Sequence, residues 1–381
     1  MPVPERSIKL LSDVTVICEN PDSIYNYFAW PTIARLPDGR LMLVSSGFRK
    51  RHVDPFGKVA ACYSDDDGKT WTKPEILFNS PLDDRDAGLA VAGERVIVTT
   101  FNNTVAFQRN IGKTEGDAAH QQLVKEYLDT VDAEAAEAAY LGSLYLLSTD
   151  GGKTFSAPKK CPVTTPHGPN VTSDGKFLYV GRYFGKTPSM GDSIGVFIEN
   201  EAGEFTHLSD IANVPVAEDG ELLSCEPHCI VLPDGKIIAH IRVQRFVEGK
   251  NPPGIGWEAF TMYQSVSTDG GKTFTAPAPI FDDIMGGAPS HLYRHSSGAL
   301  ISVYAWRDYV NDVPSAICAL ISRDNGESWT PYFLCEGVHP WDMGYPATVE
   351  KEDGTLLTIF YDHTKDGPAV IKQFTWSLDG V

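Results

Sequence analysis

Residues 64–71 read SDDDGKTW, and the same pattern of Ser-x-Asp-x-Gly-x-Thr/Ser-aromatic returns three more times along the chain. The other copies are STDGGKTF at 148–155, STDGGKTF at 267–274 and SRDNGESW at 322–329. In such a motif the Asp carboxylate accepts backbone N–H groups of a tight turn, the Gly adopts positive φ, and the aromatic side chain packs between neighbouring sheets. Four copies in one chain therefore predict a structure built from repeated β units.

A second repeat marks hairpin turns, in which an apolar strand follows Asp-Gly or a related pair. Most successive turn glycines are about 55 to 65 residues apart, which is the length of one four-stranded propeller blade with its loops. The pattern predicts an all-β chain that folds as a six-bladed β-propeller, in a single domain over 1–381. The turn glycines are Gly39, Gly93, Gly175, Gly235, Gly298 and Gly354.

The gap between Gly93 and Gly175 is longer than the others, and residues 113–140 fill it with a segment rich in Ala, Glu, Gln and Leu. This composition favours helix, so we expect a short helical insertion in the region of the second to third blade. Its simplest interpretation is a solvated decoration of the propeller edge. A lid over the pocket and a contact of a homo-oligomer are the alternatives.

Composition and charge restrict the classes of partner. The 381-residue chain has a net charge of -18, which argues against nucleic acid and anionic membranes as partners. Its seven cysteines are scattered without the spacing of metal ligands, which indicates free thiols. The first residues contain no apolar run typical of a signal peptide. We therefore expect a cytoplasmic protein that uses neither a metal nor another cofactor.

The repeat also predicts where a binding site would form. The innermost strand of each blade starts at one rim of the central channel, and the next strand returns to that rim, so residues flanking each hairpin should surround one pocket. Ionisable and hydrogen-bonding side chains occupy these positions. The strand starts carry Trp30, Asp84, Arg85, Asp86, His167, Glu226, His228, Ser290, His291 and Tyr345, and the returning strands carry Arg49, Asn103, Arg182, Arg242, Arg307 and Asp362.

Several of these residues are arginines, although the protein as a whole is strongly acidic. Guanidinium groups bind carboxylates and sulfates through two parallel hydrogen bonds, so the arginines predict an anionic small-molecule or glycan ligand. His167, His228 and His291 recur at equivalent places, where neutral imidazoles would donate hydrogen bonds to sugar hydroxyls; a metal site is the alternative. The Asp84–Asp86 run is either a ligand contact or a salt-bridged strand start.

The four repeated motifs, together with Phe28-Ala29-Trp30-Pro31 and Gly344-Tyr345-Pro346, resemble the bacterial sialidase (neuraminidase) superfamily, whose Asp-box, or BNR, repeats decorate six-bladed propellers. The resemblance implies a retaining exo-glycosidase that hydrolyses a terminal acidic sugar. By this comparison Tyr345 is the nucleophile and Glu226 its base, and Arg242 belongs to the clamp for the substrate carboxylate. Asp54 lies where the family's acid/base residue is expected.

The chain also departs from the family. The first arginine of the carboxylate clamp belongs to a Phe-Arg-Ile-Pro motif, and Ala29 takes its place here. Arg307 is the best candidate for the third clamp arginine, with Arg182 and Arg49 as substitutes. Two alternatives to a sialidase therefore stay open. One is a propeller glycosidase or lyase for a different, non-sialic sugar, acidic or ketosidic, with Trp30 as a stacking platform, and the other is a non-catalytic glycan-binding propeller.

Overall fold

The structure is a computed structural model that describes residues 4–114, 116–184, 194–214, 221–246, 260–281, 289–307, 315–365 and 367–381. Its strands form six antiparallel sheets, one for each blade of a β-propeller, which confirms the predicted fold class. The predicted turn glycines all have positive φ, between 60° and 91°, as tight hairpins between an inner strand and its neighbour require.

The first three blades follow one another along the chain. The first contains β2 (Tyr27–Arg35), β3 (Leu41–Arg49), β4 (Lys58–Ser64) and β5 (Glu75–Phe78). The second contains β6 (Arg85–Ala92), β7 (Arg95–Phe101), β8 (Ser143–Ser148) and β9 (Lys159–Cys161). In the third, the inner strand is broken into two pieces; its strands are β10 (Val163–Thr164), β11 (Asn170–Val171), β12 (Phe177–Tyr183), β13 (Ile194–Glu199) and β14 (Phe205–Ile211).

The last three blades repeat the plan, and an N-terminal strand completes the ring. The fourth contains β15 (Glu221–Val231), β16 (Ile237–Phe246), β17 (Phe260–Ser267) and β18 (Ala278–Pro279). The fifth contains β19 (Ser290–Arg294), β20 (Leu300–Trp306), β21 (Ala316–Ser322) and β22 (Thr330–Glu336). The sixth contains β23 (Gly344–Glu350), β24 (Leu356–His363), β25 (Ala369–Trp376) and, as its outer strand, β1 (Thr15–Cys18). This pairing of the two ends of the chain closes the propeller.

Each Asp-box turn is held by its own residues. In the first, the Asp66 carboxylate accepts hydrogen bonds from the Thr70 backbone N–H (2.8 Å) and the Thr70 hydroxyl (2.6 Å), and the Ser64 hydroxyl accepts from the Gly68 N–H (2.9 Å). The other three boxes repeat these contacts. Trp71 reaches the neighbouring sixth blade, where its indole N–H donates to Gln373 (3.0 Å). The motif therefore stabilises a turn and also joins two blades.

The helical insertion is larger than the sequence predicted and forms three helices, α1 (Val105–Thr114), α2 (Ala118–Thr130) and α3 (Ala133–Tyr140). The prediction started at residue 113 and missed most of α1, whose sequence VAFQRNIGKT mixes good helix formers with Val, Phe, Asn, Ile, Gly and Thr, which favour helix less. Tertiary packing stabilises α1 instead, because Val105 joins a small apolar core with Val124 and Leu128 of α2. In the part of the chain that the structure describes, no helix is long and apolar enough to cross a membrane.

Candidate active site

The inner strands of four blades carry the same distortion near the rim. Trp30, Asp86, Glu226 and Tyr345 each have positive φ, of 55°, 38°, 46° and 49° respectively. At each of them the pairing with the next strand shifts register, as in a β-bulge. Residues of this kind rarely adopt such a backbone, and distortions of this type cluster at functional sites. The bulge changes the direction of one side chain in each of these blades.

Tyr345 and Glu226 meet near this rim of the propeller, although they come from the sixth and the fourth blade. The Tyr345 hydroxyl donates to Glu226 Oε1 at 2.9 Å, Arg242 forms an ion pair with Glu226 Oε2, and Arg242 Nη1 lies 3.3 Å from the phenol oxygen. The sequence predicted this contact. Burial, and then the charge of Glu226, raise the pKa of Tyr345 well above its ordinary value, so the phenol is neutral at physiological pH.

Arg307 supports the strand start that carries Tyr345. Its Nε donates to the Met343 carbonyl at 3.0 Å, and its guanidinium carbon lies 5.9 Å from the centre of the Tyr345 ring. A Cβ on the intervening Gly344, which has a φ of 125°, would lie 3.1 Å from the guanidinium. Arg307 therefore packs against the residue before Tyr345 and against the ring itself, which brings a second positive charge close to the phenol.

A cavity of about 810 Å³ opens beside Glu226, over the second, third and fourth blades. Its size is that of a small-molecule site. Four aromatic rings, three charged groups and two side-chain amides contribute to the wall, which suits a polar ring compound such as a sugar. The lining residues are Asp86, Phe101, Asn103, Phe107, Thr164, Thr165, Pro166, Arg182, Tyr183, Phe184, Leu223, Cys225, Glu226 and Gln244.

The helical insertion contributes to this wall. Phe107 of α1 lines the cavity and is 42% exposed. Phe184, directly after β12, lines it as well and is 38% exposed. Phe107 precedes the segment 113–140 for which the sequence left a decoration, a lid and an oligomer contact open, and no described residue of that segment is among those lining this cavity. The oligomeric state stays a prediction.

Trp30 lies behind the pocket wall instead of in it. It is 1% exposed, and the guanidinium carbons of Arg49 and Arg85 lie 5.0 and 4.5 Å from the centre of its ring. Arg49 is itself fully buried in an ion pair with Asp83, and the His52 carbonyl accepts from both arginines. These contacts leave the Trp30 ring without an accessible face, so the stacking platform predicted from the sequence does not fit this arrangement, and Arg49 does not reach the cavity.

Asp54 is also placed differently from the prediction. Its side chain is 0% exposed, and its carboxylate accepts the backbone N–H groups of Lys50 (2.9 Å) and Phe56 (3.0 Å). His120 of α2 covers it, with Nε2 at 3.3 Å. Asp54 therefore closes the turn of its own loop beneath the insertion, because short-range backbone donors satisfy both of its oxygens. A proton transfer to substrate does not fit this placement.

Two other residues predicted at the rim, Asp84 and Asp362, form hydrogen bonds within the protein. Asp84 is fully buried, and its carboxylate accepts from the Ser80 N–H (2.6 Å) and hydroxyl (2.7 Å). Asp362 accepts the N–H groups of Val338 (2.9 Å) and His339 (3.1 Å) and pairs with Lys372. Both positions are at the predicted rim, but their carboxylates point into the protein.

The three histidines predicted to share one region do so. The rings of His167, His228 and His291 lie 4.7 to 5.7 Å apart, and His167 lies 6.5 Å from the Tyr345 ring. His228 Nδ1 accepts the Leu292 N–H (2.9 Å) and His291 Nδ1 accepts the Thr348 N–H (3.3 Å). Burial lowers the pKa of all three histidines.

A neutral imidazole whose Nδ1 accepts a hydrogen bond carries its proton on Nε2. His228 and His291 therefore offer an N–H donor and no free lone pair. This tautomer leaves neither ring a lone pair for a metal ion. Among the residues that the structure describes, no group of three or more His, Cys, Asp or Glu is arranged to hold a metal.

The sequence analysis missed a buried network around Asp342, three residues before Tyr345. The Asp342 carboxylate accepts from the hydroxyls of Tyr27 (2.9 Å) and Tyr361 (3.2 Å), from His52 Nδ1 (2.9 Å) and from His363 Nε2 (2.8 Å). Burial alone would raise the pKa of Asp342, but the hydrogen bonds from His363 and His52 outweigh it and lower that pKa. No repeat position marks these residues, so only their convergence in space could reveal the network.

These observations define the class of protein. The fold is a sialidase-like six-bladed propeller whose channel ends at a phenol–carboxylate pair. The chain belongs to the family of BNR repeat-like domains, whose model matches residues 123–358. No curated protein matches the chain in sequence.

Solved structures agree with this fold at low sequence identity. A protein of unknown function from Dyadobacter fermentans is 21% identical, with a TM-score of 0.72, over 99% of this chain and 100% of that one. The intramolecular trans-sialidase from Ruminococcus gnavus is 13% identical, with a TM-score of 0.63, over 94% and 96% of the two chains. The NanB sialidase from Streptococcus pneumoniae is 14% identical, with a TM-score of 0.65, over 97% of this chain and 71% of that one.

Proposed function

We propose that this protein is a retaining exo-glycosidase of the sialidase type, which hydrolyses a terminal acidic sugar. The observation that carries the proposal is the 2.9 Å hydrogen bond from the Tyr345 hydroxyl to Glu226, beside the cavity. A glycan-binding propeller has no need for a phenol held against a carboxylate on a distorted backbone. A covalent mechanism needs both groups, because a neutral phenol becomes nucleophilic only when an adjacent base takes its proton.

The choice of nucleophile follows from the charge of the substrate. A carboxylate nucleophile would be repelled by an anomeric centre that carries its own carboxylate, whereas the neutral Tyr345 phenol can approach it. Glu226 accepts the phenolic proton as the Tyr345 oxygen attacks, and Arg242, paired with Glu226, holds that carboxylate in place. Formation and hydrolysis of the glycosyl-tyrosine then retain the configuration at the anomeric carbon.

The positive charges near the phenol support an anionic substrate. Arg242 and Arg307 lie beside Tyr345, and Arg182 lines the cavity. Guanidinium groups bind carboxylates in a fork geometry that no other side chain offers. The Ruminococcus gnavus relative forms a complex with oseltamivir carboxylate, which is consistent with an acidic ligand in this kind of propeller.

A second candidate function is a glycosidase or lyase for an acidic sugar other than sialic acid. Ala29 stands at the place of the first clamp arginine and is fully buried, so it offers no charge to a substrate carboxylate. A uronic acid, whose carboxylate is attached elsewhere on the ring, would not require that arginine. The test below therefore includes both kinds of substrate.

The experiment is a panel of aryl glycosides, comprising sialosides, uronides and neutral sugars, with wild type, Tyr345→Phe and Tyr361→Phe. Tyr361 is the matched control, because it is a buried tyrosine whose ring lies 5.9 Å from that of Tyr345 but whose hydroxyl donates to Asp342. We expect Tyr345→Phe to lose at least about a hundredfold in kcat/KM, and Tyr361→Phe to lose less than about tenfold.

A fluorinated glycosyl fluoride of the best substrate class should also label Tyr345, and mass spectrometry of the peptides would locate the adduct. Full activity in Tyr345→Phe would rule out the covalent mechanism. Glycan binding without turnover of any substrate would identify a binding propeller instead.

A further inference from the structure

We propose, resting on the glycosidase function above, that Asp86 is the general acid and base that protonates the leaving oxygen and then activates water. Asp86 lines the same cavity as Glu226 and is 7% exposed. Its carboxylate forms no hydrogen bond or ion pair with any residue that the structure describes. Burying a carboxyl without a protein partner costs free energy. Such groups are found at functional sites, where a ligand supplies the missing hydrogen bonds.

The position of Asp86 in the fold favours a role opposite the nucleophile. Asp86, Glu226 and Tyr345 occupy the same bulged position in the second, fourth and sixth blades, so they come from alternate blades around one axis. A substrate above the channel would therefore meet the phenol and its base from two directions and the Asp86 carboxyl from the third. This separation is what a double displacement requires, since acid and nucleophile act at different atoms of the substrate.

Burial and the charges around Asp86 bring its pKa into a range that suits proton transfer. Burial raises the pKa of Asp86 to about 7, the charge of Arg85 opposes this, and Glu226 and Asp83 add to it. Arg49, at the end of β3 in the first blade, lowers the same pKa. Tyr345 is a neutral phenol, and Arg182 faces the cavity from the third blade. A carboxyl with such a pKa carries its proton in a substantial fraction of molecules at neutral pH and can also return to the ionised form within one cycle.

The proposed reaction has two steps. First, the Tyr345 oxygen bonds to the anomeric carbon, the bond to the leaving oxygen breaks, the Asp86 proton moves to that oxygen, and the phenolic proton moves to Glu226. Second, the Asp86 carboxylate takes a proton from water, whose oxygen bonds to the anomeric carbon. The bond to Tyr345 then breaks, and the phenolate recovers its proton from Glu226. Asp86 and Glu226 thus end the cycle as they began it.

Asp54 and Asp84 provide matched controls within the same chain. Burial also raises the pKa of Asp84 to about 7, but its carboxylate is bonded to Ser80 and does not line the cavity. Asp54 is bonded to the backbone of its own loop. Both aspartates therefore differ from Asp86 in access to a ligand, and not in residue type or depth.

The kinetic test compares Asp86→Asn, Asp84→Asn and Asp54→Asn on aryl glycosides whose leaving phenols range from phenol to dinitrophenol. We expect Asp86→Asn to lose at least about a hundredfold in kcat/KM with phenol and less than about tenfold with dinitrophenol, because a good leaving group needs no proton. Azide should restore turnover of the dinitrophenyl substrate by attacking the glycosyl-tyrosine, and it should yield a glycosyl azide of retained configuration.

Asp84→Asn and Asp54→Asn are expected to keep the leaving-group dependence of the wild type. An equal loss for Asp86→Asn with all leaving groups, through KM alone, would overturn the proposal in favour of a binding contact. A steep dependence in Asp54→Asn would overturn it in favour of Asp54.

A second measurement does not depend on turnover. The carboxyl carbon of Asp86, identified by NMR as the aspartate signal absent from Asp86→Asn, should titrate near pH 7, and Glu226→Gln should shift that midpoint downward. An ordinary midpoint near 4 would overturn the inference, because the acid would then be ionised at neutral pH. If the midpoint is raised but Tyr345→Phe stays active, the covalent mechanism fails and the assignment of Asp86 as a proton donor does not.

Discussion

Two sets of aspartates illustrate how the outer edge of the propeller differs from its channel. At the outer edge, Asp66 receives hydrogen bonds from Thr70 and Ser64, and the bond from the Thr70 hydroxyl is the main reason that its pKa falls to about 2. In the channel, Asp86 has no such donor within the described part of the chain, and burial raises its pKa to about 7. The same side chain is thus stabilised as an anion in one region and destabilised in the other. The comparison indicates that the edge maintains the fold and that the channel retains groups that the fold does not satisfy.

The largest effect should come from the channel. Glu226→Gln removes the base that accepts the phenolic proton, and we expect kcat to fall by about 10² to 10⁴-fold. Glu199→Gln is the matched control, since Glu199 also pairs with an arginine, Arg95 (2.6 Å), but lies outside the cavity. This control should lose stability and keep kcat within about twofold of the wild type. Equal activity losses in the two variants would remove the distinction between channel and framework.

The second effect concerns stability and pH. Because the folded-state pKa of Asp86 lies above its unfolded value, the folded state binds this proton more tightly, and its contribution to stability declines as pH rises from about 4 to about 7. Asp86→Asn cannot ionise, so its thermal unfolding midpoint should exceed that of the wild type at pH 8, by a margin that vanishes near pH 4. Differential scanning calorimetry over this range measures the difference. A margin independent of pH would contradict the proposed titration.

The third effect concerns the part of the cavity wall that α1 supplies. Phe107→Ala should raise KM several-fold with little change in kcat, because an aromatic contact to the bound substrate is lost while the reacting groups stay in place. Leu123→Ala is the control, since Leu123 is similarly exposed on α2 and does not line this cavity. Steady-state kinetics with a disaccharide substrate should separate the two variants; identical KM values would show that α1 does not contact substrate.

The smallest effect on activity should come from the outer edge. Asp66→Ala removes the acceptor that holds one Asp-box turn, and we expect the thermal unfolding midpoint to fall by a few degrees. Because the turn is remote from the channel, kcat/KM should change by less than about twofold. The same substitution at Asp324, in the fifth blade, should behave alike. A loss of activity at unchanged stability would show that the boxes take part in the site.

Much of the site could be predicted from the sequence, because a propeller repeats its geometry. Once the turn glycines fixed the length of each blade, positions before and after them had to meet at one rim, and Tyr345, Glu226 and Arg242 do so. The prediction failed where a side chain had local partners that the repeat does not show. Asp54 turns into its own loop, although that loop directly follows a strand that returns to the predicted rim.

The sequence by itself therefore determined the number of blades, the turns that separate them and the set of residues near the channel, because these depend on spacing and on contacts between residues a few positions apart. The tertiary structure alone decided which members of that set face the cavity. It placed α1 at the wall, enclosed Trp30 between Arg49 and Arg85, and left the carboxyl of Asp86 without a partner among the residues that the structure describes. Burial and charge depend on neighbours that are distant along the chain, and these neighbours set the difference between a structural aspartate and a reactive one.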